Sequence, residues 1–430
     1  MDRKEIFSTR TVTVEEAVQV IRNGDRVVFS QGAGIPQVVP EELLKRREEY
    51  ADVEIFHMLR PGTVGYVSAG MERHFRHCAA FVCAGTREAV AANRADYMPC
   101  FFFEVPHFFR SGLLPVDVVV VQVSPPDAEG FCSFGPACDY VPAACEAARV
   151  VIAEMNDQMP RIGRTNTIHI SELDYVVPCS RALPEAPPPA IGAVEEAIGQ
   201  FCAQLVEDGS TLQLGIGAIP DAVLHSLTEK NDLGLHTELL ADGVIDLIER
   251  GVINGRRKTL HRGEHVATFL LGTSRLYEFA AACPEVALYP VDHVNHPFVI
   301  MKNERMVSIN SCLEVDLMGQ VNSETIGLRQ FSGAGGQVDY VRGASLSPGG
   351  KSIMAMPSTA VHGTVSRIVP FLSQGAAVTT SRNDVDYVVT EYGIAHLKAK
   401  TLRERARSLI AIAHPSFREG LMEEFVRRFR

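Results

Sequence analysis

The chain lacks an excess of basic residues. Its 430 residues include 41 Lys and Arg against 52 Asp and Glu, which gives a formal net charge of -11. A general nucleic-acid surface is therefore not expected, because phosphate contacts of that kind need a surplus of cations. A small anionic ligand is compatible with this charge, since local backbone N–H groups and a few cations are enough to hold it.

Long hydrophobic runs and paired cysteines are also missing. The most apolar stretch, LLPVDVVVVQV (113–123), is too short to cross a bilayer and contains Asp117, and the opening MDRKEIFSTR has no apolar signal core. None of the ten cysteines forms a C-x-x-C pair, and no histidine cluster has zinc spacing. These absences predict a soluble, cytoplasmic protein with reduced thiols, no metal and no membrane partner.

An internal duplication is present. VEEAVQVIRNGDRVVFSQGAGIPQVV (14–39) and VEEAIGQFCAQLVEDGSTLQLGIGAIPDAV (194–223) both run from a V-E-E-A helix start, through an apolar strand, to a G-x-G loop before Ile-Pro. The offset grows from 180 at the helix start (14 to 194) to 183 at the loop (32 to 215), so the second helix should be longer. The shared order of features predicts two homologous halves.

We predict an α/β fold of two homologous halves, 1–182 and 193–430, joined by the Pro-rich linker LPEAPPPAIG (183–192). Short apolar runs alternate with helical periodicity, which favours largely parallel sheets. Capping boxes should start helices at Thr13–Glu16 and Thr401–Glu404. The strand candidates are RVVFS, VEIFHML, AAFVCA, VDVVVVQV, RVVIAEM, TLQLGI, HVATFLL, VALYPV, KSIMAMP, AAVTT and DYVVT.

Each G-x-G loop, at 32–34 and 215–217, follows a strand candidate and precedes a helix. Glycines there allow close backbone approach to a ligand, and free N–H groups at a helix start favour an anion. A dinucleotide fingerprint needs a third glycine, but Pro36 and Pro220 follow instead. The loops are therefore either tight strand-to-helix turns or ligand loops, and the pattern alone leaves both open.

The most glycine-dense segment is FSGAGGQVDYVRGASLSPGGKS (331–352). Its end resembles a Walker loop, but Ser345 replaces the opening glycine, so that match fails. The run Gln337–Val341 alternates like a strand. This alternation favours a ligand-contacting segment over a mobile surface hairpin.

Two carboxylates stand beside apolar runs. Glu391 in EYGIAHL follows DYVVT, where α/β sites gather, although a helix-cap or salt-bridge role is equally compatible. Glu238 in NDLGLHTELLADG lies before an Asp-Gly turn, and a loop glutamate is usually only a solubilising charge. His236 nearby is expected to be structural. From the residues alone, Glu238 is either a surface charge or a reactive group.

A series of motifs resembles a known family, and this resemblance favours a reactive role for Glu238. GIGAIP, LGLHTELLADG, NSCLEVDLMGQVNSE, FSGAGGQVDYVRGA, GGKSIMAMPST and EYGIAHLKAK resemble the acetyl-CoA hydrolase/transferase family of class I CoA-transferases, most closely its 4-hydroxybutyrate and butyrate branch. The likeness runs along nearly the whole chain. It implies an enzyme that moves CoA from acetyl- or succinyl-CoA to a short-chain acid such as 4-hydroxybutyrate, butyrate or itaconate, and that forms a homodimer or larger assembly. Coenzyme A is then a substrate, and no cofactor is bound permanently.

The resemblance also implies roles for residues. Glu238 becomes the catalytic nucleophile, and one active site per chain is expected because VEIFHML lacks its counterpart. Glu391, Gly32 and Gly34 become candidates for the vicinity of the substrate. The implied CoA-binding residues are Gly215, Ile216, Gly217, Ala218, Ile219, Leu313, Gly335, Gly336 and Lys351.

The implied chemistry explains why a lone glutamate suffices. A carboxylate attacks the thioester, and the released thiolate, whose thiol has a pKa of about 8.5, leaves without a dedicated acid. A glutamyl-CoA thioester then forms and passes CoA to a second acid in ping-pong order. Alternatives are an acyl-CoA hydrolase using the same glutamate, or a non-catalytic CoA or phospho-ligand sensor. A dicarboxylic acid would need a further cation, for which Arg60, Arg87 and His57 are candidates.

Overall fold

A computed structural model describes residues 9–429. The chain divides into two compact units, Met1–Pro187 with Val266–Val294, and Pro188–His265 with Asn295–Arg430. The segment 183–192 has no helix or strand. The boundaries predicted for the homologous halves stay a prediction. No helix among residues 9–429 is long and apolar enough to cross a bilayer, and all ten cysteines are free thiols.

The strands are short. They are β1 (Arg26–Phe29), β2 (Val53–His57), β3 (Phe75–Ala79), β4 (Ala95–Tyr97), β5 (Val118–Val123), β6 (Phe131–Ser133), β7 (Val150–Asn156), β8 (Thr167–His169), β9 (Tyr175–Cys179), β10 (Thr211–Leu214), β11 (Gly234–His236), β12 (Leu239–Leu240), β13 (His265–Ala267), β14 (Phe269–Leu270), β15 (Val286–Leu288), β16 (Met306–Ser311), β17 (Glu314–Asp316), β18 (Val321–Asn322), β19 (Thr325–Ile326), β20 (Arg329–Gln330), β21 (Lys351–Ala355), β22 (Thr359–Ala360), β23 (Val365–Ser366), β24 (Ile368–Val369), β25 (Tyr387–Thr390) and β26 (Gly393–His396).

The α-helices are mostly short as well. They are α1 (Val14–Val18), α2 (Val38–Lys45), α3 (Arg87–Ala91), α4 (Val105–Arg110), α5 (Val141–Ala147), α6 (Ala193–Leu205), α7 (Ala218–His225), α8 (Ile245–Glu249), α9 (Ser274–Ala282), α10 (Val291–Val294), α11 (Pro297–Ile300), α12 (Gln337–Leu346), α13 (Leu402–Ile412) and α14 (Pro415–Arg428). Both predicted capping boxes are present, at Thr13–Glu16 before α1 and at Thr401–Glu404 before α13. As the offset predicted, α6 is longer than α1.

The first unit is built on a seven-stranded parallel sheet in the order β4-β3-β2-β1-β5-β7-β9. Every residue of β5 is buried, as expected for a strand covered by helices on both faces. One side of the sheet packs against Ala17, Val18 and Leu43 of α1 and α2. The chain leaves β1 toward β2 and later returns beside β1 as β5, so a switch point lies at the carboxyl end of β1.

The second unit repeats this plan. Its strands lie in the order β11-β10-β16-β21-β25-β26, parallel except for the final antiparallel strand β26. Here β10 takes the place of β1, with β11 on one side and β16 on the other. The α/β fold with parallel sheets is therefore confirmed, and the two sheets share the strand order that a duplication predicts.

Three predicted elements are wrong. Gln337–Val341 begins helix α12, because Val338, Val341 and Ala344 form a buried stripe at helical spacing. Only Ala79 of AAFVCA (79–84) belongs to a strand, as the last residue of β3, and the other residues form a loop that ends at the exposed Ala84. AAVTT (376–380) has strand-like composition, but Val378 is exposed and only Thr380 forms a β-bridge, with Val321. In the last two cases, apolar content did not bring strand pairing with it.

Candidate active site

Glu238 lies two residues beyond the carboxyl end of β11, and Thr237 fixes the backbone there. The buried Thr237 hydroxyl donates to the carbonyl oxygens of Leu214 and Leu239 at 3.0 and 3.1 Å. These bonds tie the end of β11 to the end of β10. The strand end therefore holds Glu238 in place, and its carboxyl group does not extend from a mobile loop.

A buried lysine also supports β11, at its middle residue. Lys258 Nζ donates to the carbonyl oxygens of Leu235 and Glu264 at 2.7 and 2.8 Å. Burial lowers the pKa of Lys258 to about 7. Its role is thus to satisfy backbone acceptors beside β11, and Gly234 leaves room for its stem.

The carboxyl group of Glu238 is held by two uncharged donors. Asn295 Nδ2 donates to Glu238 Oε2 at 2.6 Å, and the backbone N–H of Gly336 also hydrogen-bonds to this carboxyl group. The Asn295 side chain is fully buried, and Nδ2 lies 3.4 Å from Oδ2 of Asp339. No salt bridge to Glu238 is found among residues 9–429.

Burial raises the pKa of Glu238 to about 7, although its side chain keeps some exposed surface. The hydrogen bonds from Asn295 and from the Gly336 backbone act in the opposite direction and favour the carboxylate. Near neutral pH, the group therefore exists both as a carboxylate and as the neutral acid. The chemistry open to such a group is nucleophilic attack or proton transfer.

Gly336 stands at the N-cap of α12, so the positive end of this helix faces Glu238. A side chain at position 336 would overlap both Glu238 Oε2 and Asn295 Nδ2. The preceding Gly335 has a φ of +52°, which favours glycine. The two glycines allow the chain to turn into the helix directly against the carboxyl group.

The predicted loop Gly215–Ile219 follows β10 and leads into α7. Gly217 has a φ of +122°, and nothing lies within 4 Å of a Cβ built at Gly215 or Gly217. Ile216 is 47% exposed. In the second unit this loop and Glu238 follow neighbouring strands at the same edge of the sheet, where ligands of α/β proteins bind.

Two other predicted CoA contacts, Lys351 and Leu313, lie in different parts of the second unit. Lys351 begins β21, and its Nζ donates to Glu207 Oε1 and the Leu205 carbonyl oxygen at 2.7 and 2.9 Å. The start of β21 belongs to the amino-terminal edge of the sheet, opposite the loops that follow β10 and β11. Leu313 lies between β16 and β17, where its backbone N–H donates to the Asn322 carbonyl oxygen. A CoA role for either residue stays a prediction.

Glu391 lies in the turn between β25 and β26, as expected for a strand end. Its carboxylate accepts hydrogen bonds from the backbone N–H and the hydroxyl of Ser358, at 2.8 and 2.5 Å. Gly32 and Gly34 lie in the first unit, where they form a buried turn after β1. Glu391 therefore orders the loop after β21, while the two glycines shape the carboxyl edge of the first sheet.

Sequence reasoning missed Asn295 and Thr237. Asn295 belongs to none of the motifs, and an asparagine 57 residues from its partner leaves no spacing signal. Thr237 was visible only as the neighbour of Glu238. The buried His236, which packs edge-on against Tyr340, lies on the strand, in keeping with a structural role.

Comparisons with known proteins place the chain in one family. The models for the N- and C-terminal domains of the acetyl-CoA hydrolase/transferase family match residues 1–182 and 272–425. A 4-hydroxybutyrate coenzyme A transferase of Clostridium kluyveri is 58% identical to this chain, and the match covers 100% of both sequences. A succinyl-CoA:cyclohexane-1-carboxylate CoA transferase of Geobacter metallireducens is 47% identical over 95% of this chain and 93% of that protein.

A solved structure supports the same assignment. The crystal structure of a 4-hydroxybutyrate CoA-transferase from Porphyromonas gingivalis matches with a TM-score of 0.86 and 47% identity, over 99% of this chain and all of that one. The fold and its matches define a CoA-transferase. More particularly, the chain belongs to the acetyl-CoA hydrolase/transferase family.

Proposed function

We propose that the enzyme transfers CoA from an acyl-CoA donor, such as acetyl- or succinyl-CoA, to a short-chain carboxylic acid through a glutamyl-CoA thioester on Glu238. The observation that carries this proposal is the pair of donors on the Glu238 carboxyl group, Asn295 Nδ2 at 2.6 Å and the backbone N–H of Gly336. Neutral donors hold the group without a permanent ion pair, so its other oxygen stays available for attack.

In the first step the Glu238 carboxylate attacks the thioester carbonyl carbon, and the C–S bond breaks to give a mixed anhydride and CoA thiolate. The thiolate then attacks the glutamyl carbonyl carbon and expels the first carboxylate. This leaves the glutamyl-CoA thioester. A second acid reverses both steps, so the reaction has ping-pong order.

Asn295 and Gly336 have a clear task in this sequence. Whenever the glutamyl carbonyl carbon is attacked, its oxygen becomes an oxyanion, and the two donors already stand beside a carboxyl oxygen of Glu238. Donors that are oriented before the reaction need no reorganisation as the charge develops. The positive end of α12 acts in the same direction.

The relatives support a choice of acids. The name of the 58% identical relative points to 4-hydroxybutyrate, and that of the 47% identical relative to succinyl-CoA as a donor. We therefore propose 4-hydroxybutyrate or butyrate as the acid, with itaconate as a further acid to test. The proposed reaction uses coenzyme A as a substrate and needs no permanently bound cofactor.

The test is chemical trapping. The protein is incubated with acetyl-CoA or succinyl-CoA and reduced with borohydride, which converts a thioester to an alcohol, and the modified peptide is mapped by mass spectrometry. We expect reduction at Glu238 only after acyl-CoA loading, none in Glu238→Gln, and wild-type labelling in Glu229→Gln, which changes an exposed glutamate. An unmodified Glu238 in protein that turns over would refute the thioester route. Acyl-CoA loss without any acceptor acid would assign a hydrolase.

A further inference from the structure

The side-chain amide of Asn295 lies between two carboxyl groups of the second unit. Its Nδ2 donates to Glu238 Oε2 at 2.6 Å and to Asp339 Oδ2 at 3.4 Å. An amide nitrogen carries two hydrogens, so one is directed at each acceptor. Asn295 and Asp339 are 0% and 1% exposed, so bulk water does not compete for these contacts. Asp339 therefore belongs to the surroundings of the nucleophile, although it has no covalent role in the proposed transfer.

Asn295 and Asp339 are carried by neighbouring segments that pack closely together. Asn295 lies two residues before α11, and Asp339 occupies the third position of α12. Ile300 of α11 and Tyr340 of α12 belong to one buried cluster. The absence of a side chain at Gly343 lets the two helices approach, because a Cβ there would lie 2.5 Å from Ile300. This packing fixes both backbones, so the hydrogen bonds decide only how the Asn295 amide is turned.

The two carboxyl groups determine which side of the amide faces Glu238. An ionised carboxylate only accepts hydrogen bonds, so a half-turn of the amide would direct Oδ1 at two acceptors. Glu238 does not enforce this orientation in every state. Its pKa is raised to about 7 by burial, and the neutral acid present near that pH carries a proton that can donate to Oδ1. Asp339 changes no bond during the transfer, so its demand for a donor persists.

The surroundings of Asp339 suit a negative charge. Asp339 lies in the first turn of α12, where the helix dipole stabilises anions. Burial raises the pKa of the adjacent Tyr340 phenol, and the charges of Glu238 and Asp339 act in the same direction, so this phenol stays neutral. His236 packs edge-on against the Tyr340 ring. The pKa of Glu238 itself is raised by burial and lowered by the Asn295 hydrogen bond, so the orientation of Asn295 bears directly on the nucleophile.

We propose that Asp339 is a positioning residue that keeps the donor side of the Asn295 amide directed at Glu238 throughout the transfer. This inference rests on the proposed function, because it takes Asn295 to stabilise the oxyanion of the Glu238 reaction. Without the Asp339 acceptor, the amide can turn whenever Glu238 is protonated. A turned amide offers the oxyanion an oxygen in place of a donor, and the reaction is then slow. The rate should therefore depend on Asp339 only while Asn295 is present.

The test is a double-mutant cycle on kcat. Asp339→Asn keeps the shape of the side chain, but its own amide can offer Asn295 either a donor or an acceptor. We expect kcat to fall at least about 10-fold in Asp339→Asn, and less than about 2-fold further when the same change is made in Asn295→Ala. The KM for acyl-CoA should change less than about 2-fold. The matched control is Asp316→Asn, which changes another buried aspartate of the same unit and should keep kcat within about 2-fold.

The pH profile separates positioning from direct repulsion between the two carboxyl groups. The Asn295 hydrogen bond lowers the pKa of Glu238, so its loss in Asp339→Asn should move the inflection of kcat/KM to higher pH, as in Asn295→Ala. Removal of a repelling charge would instead move the inflection to lower pH. An inflection at lower pH, or an equal loss of kcat with and without Asn295, would overturn the proposal.

Circular dichroism and thermal unfolding check that each variant is folded. If Asp339→Asn does not fold, Asp339→Ala, which also removes the acceptor, takes its place in the cycle. Borohydride trapping on the wild-type protein tests the proposed function separately. Trapping at Glu238 without coupling between Asp339 and Asn295 would refute this inference alone. Coupling between them in an enzyme that turns over with Glu238 unmodified would refute the glutamyl thioester alone.

Discussion

Asn295 Nδ2 donates to Oε2 of Glu238 at 2.6 Å, although 57 residues separate the two positions in the chain. If this donor stabilises the oxyanion on the glutamyl carbon, Asn295→Ala should lower kcat about 100-fold or more. The measurement is steady-state CoA transfer over a range of acyl-CoA concentrations, which separates kcat from KM. Asn231→Ala, which changes an exposed asparagine of the same unit, is the control. A loss confined to KM would mean that Asn295 only helps substrate binding.

The pH dependence should report the state of Glu238. Its pKa is raised to about 7 by burial, and only the carboxylate is nucleophilic. The rate constant kcat/KM for acyl-CoA should therefore fall about tenfold per pH unit as the pH drops below 7. Asn295 lowers this pKa, so Asn295→Ala should move the inflection to higher pH. A profile that stays flat down to pH 5 would contradict the pKa and its cause.

Gly336 should tolerate no side chain. A Cβ at this position would overlap Glu238 Oε2 and Asn295 Nδ2, so Gly336→Ala must displace the nucleophile or its donor. We expect a loss of about 100-fold or more in kcat with a folded protein, because such misplacement is costly. Gly420→Ala in α14, where nothing lies within 4 Å of an added Cβ, should keep full activity. Equal activity of the two variants would show that the loop adjusts at no cost.

We expect the ionised form of Glu238 to destabilise the folded protein above neutral pH. Its folded pKa of about 7 exceeds the ordinary value of 4.5, so the folded state holds the proton longer than the unfolded chain does. The stability that this group contributes is complete below pH 4.5 and is lost as the pH rises through 7. Glu238→Gln should therefore be more stable than wild type at pH 8, by roughly 1–3 kcal/mol, and less so at pH 5. Denaturant unfolding of both proteins at pH 8 and at pH 5 measures this difference in the free energy of unfolding.

The parts of the fold that could be predicted from sequence are those with regular patterns. The buried run of β5 and the capping box before α13 both appear where expected. The alternation in Gln337–Val341 predicts a strand, but five residues fit a helical turn as well, and the buried stripe that continues to Ala344 is helical. The residues alone leave Glu238 open, and only the resemblance to the family indicates that it is the nucleophile. Its donors could not be predicted, since long-range contacts to an asparagine side chain and a backbone N–H leave no local pattern.

The uncharged character of Asn295 and Gly336 has a consequence for the catalytic cycle. An arginine or lysine beside Glu238 would favour the ionic form and would oppose every step that converts it to an uncharged ester-like group. Two amide donors fit a carboxylate oxygen and a carbonyl oxygen alike. The same pair can therefore donate hydrogen bonds to Glu238 as a carboxylate, as a mixed anhydride and as a thioester. The site therefore serves both directions of transfer, and the net direction follows the concentrations of the acids and of their CoA thioesters.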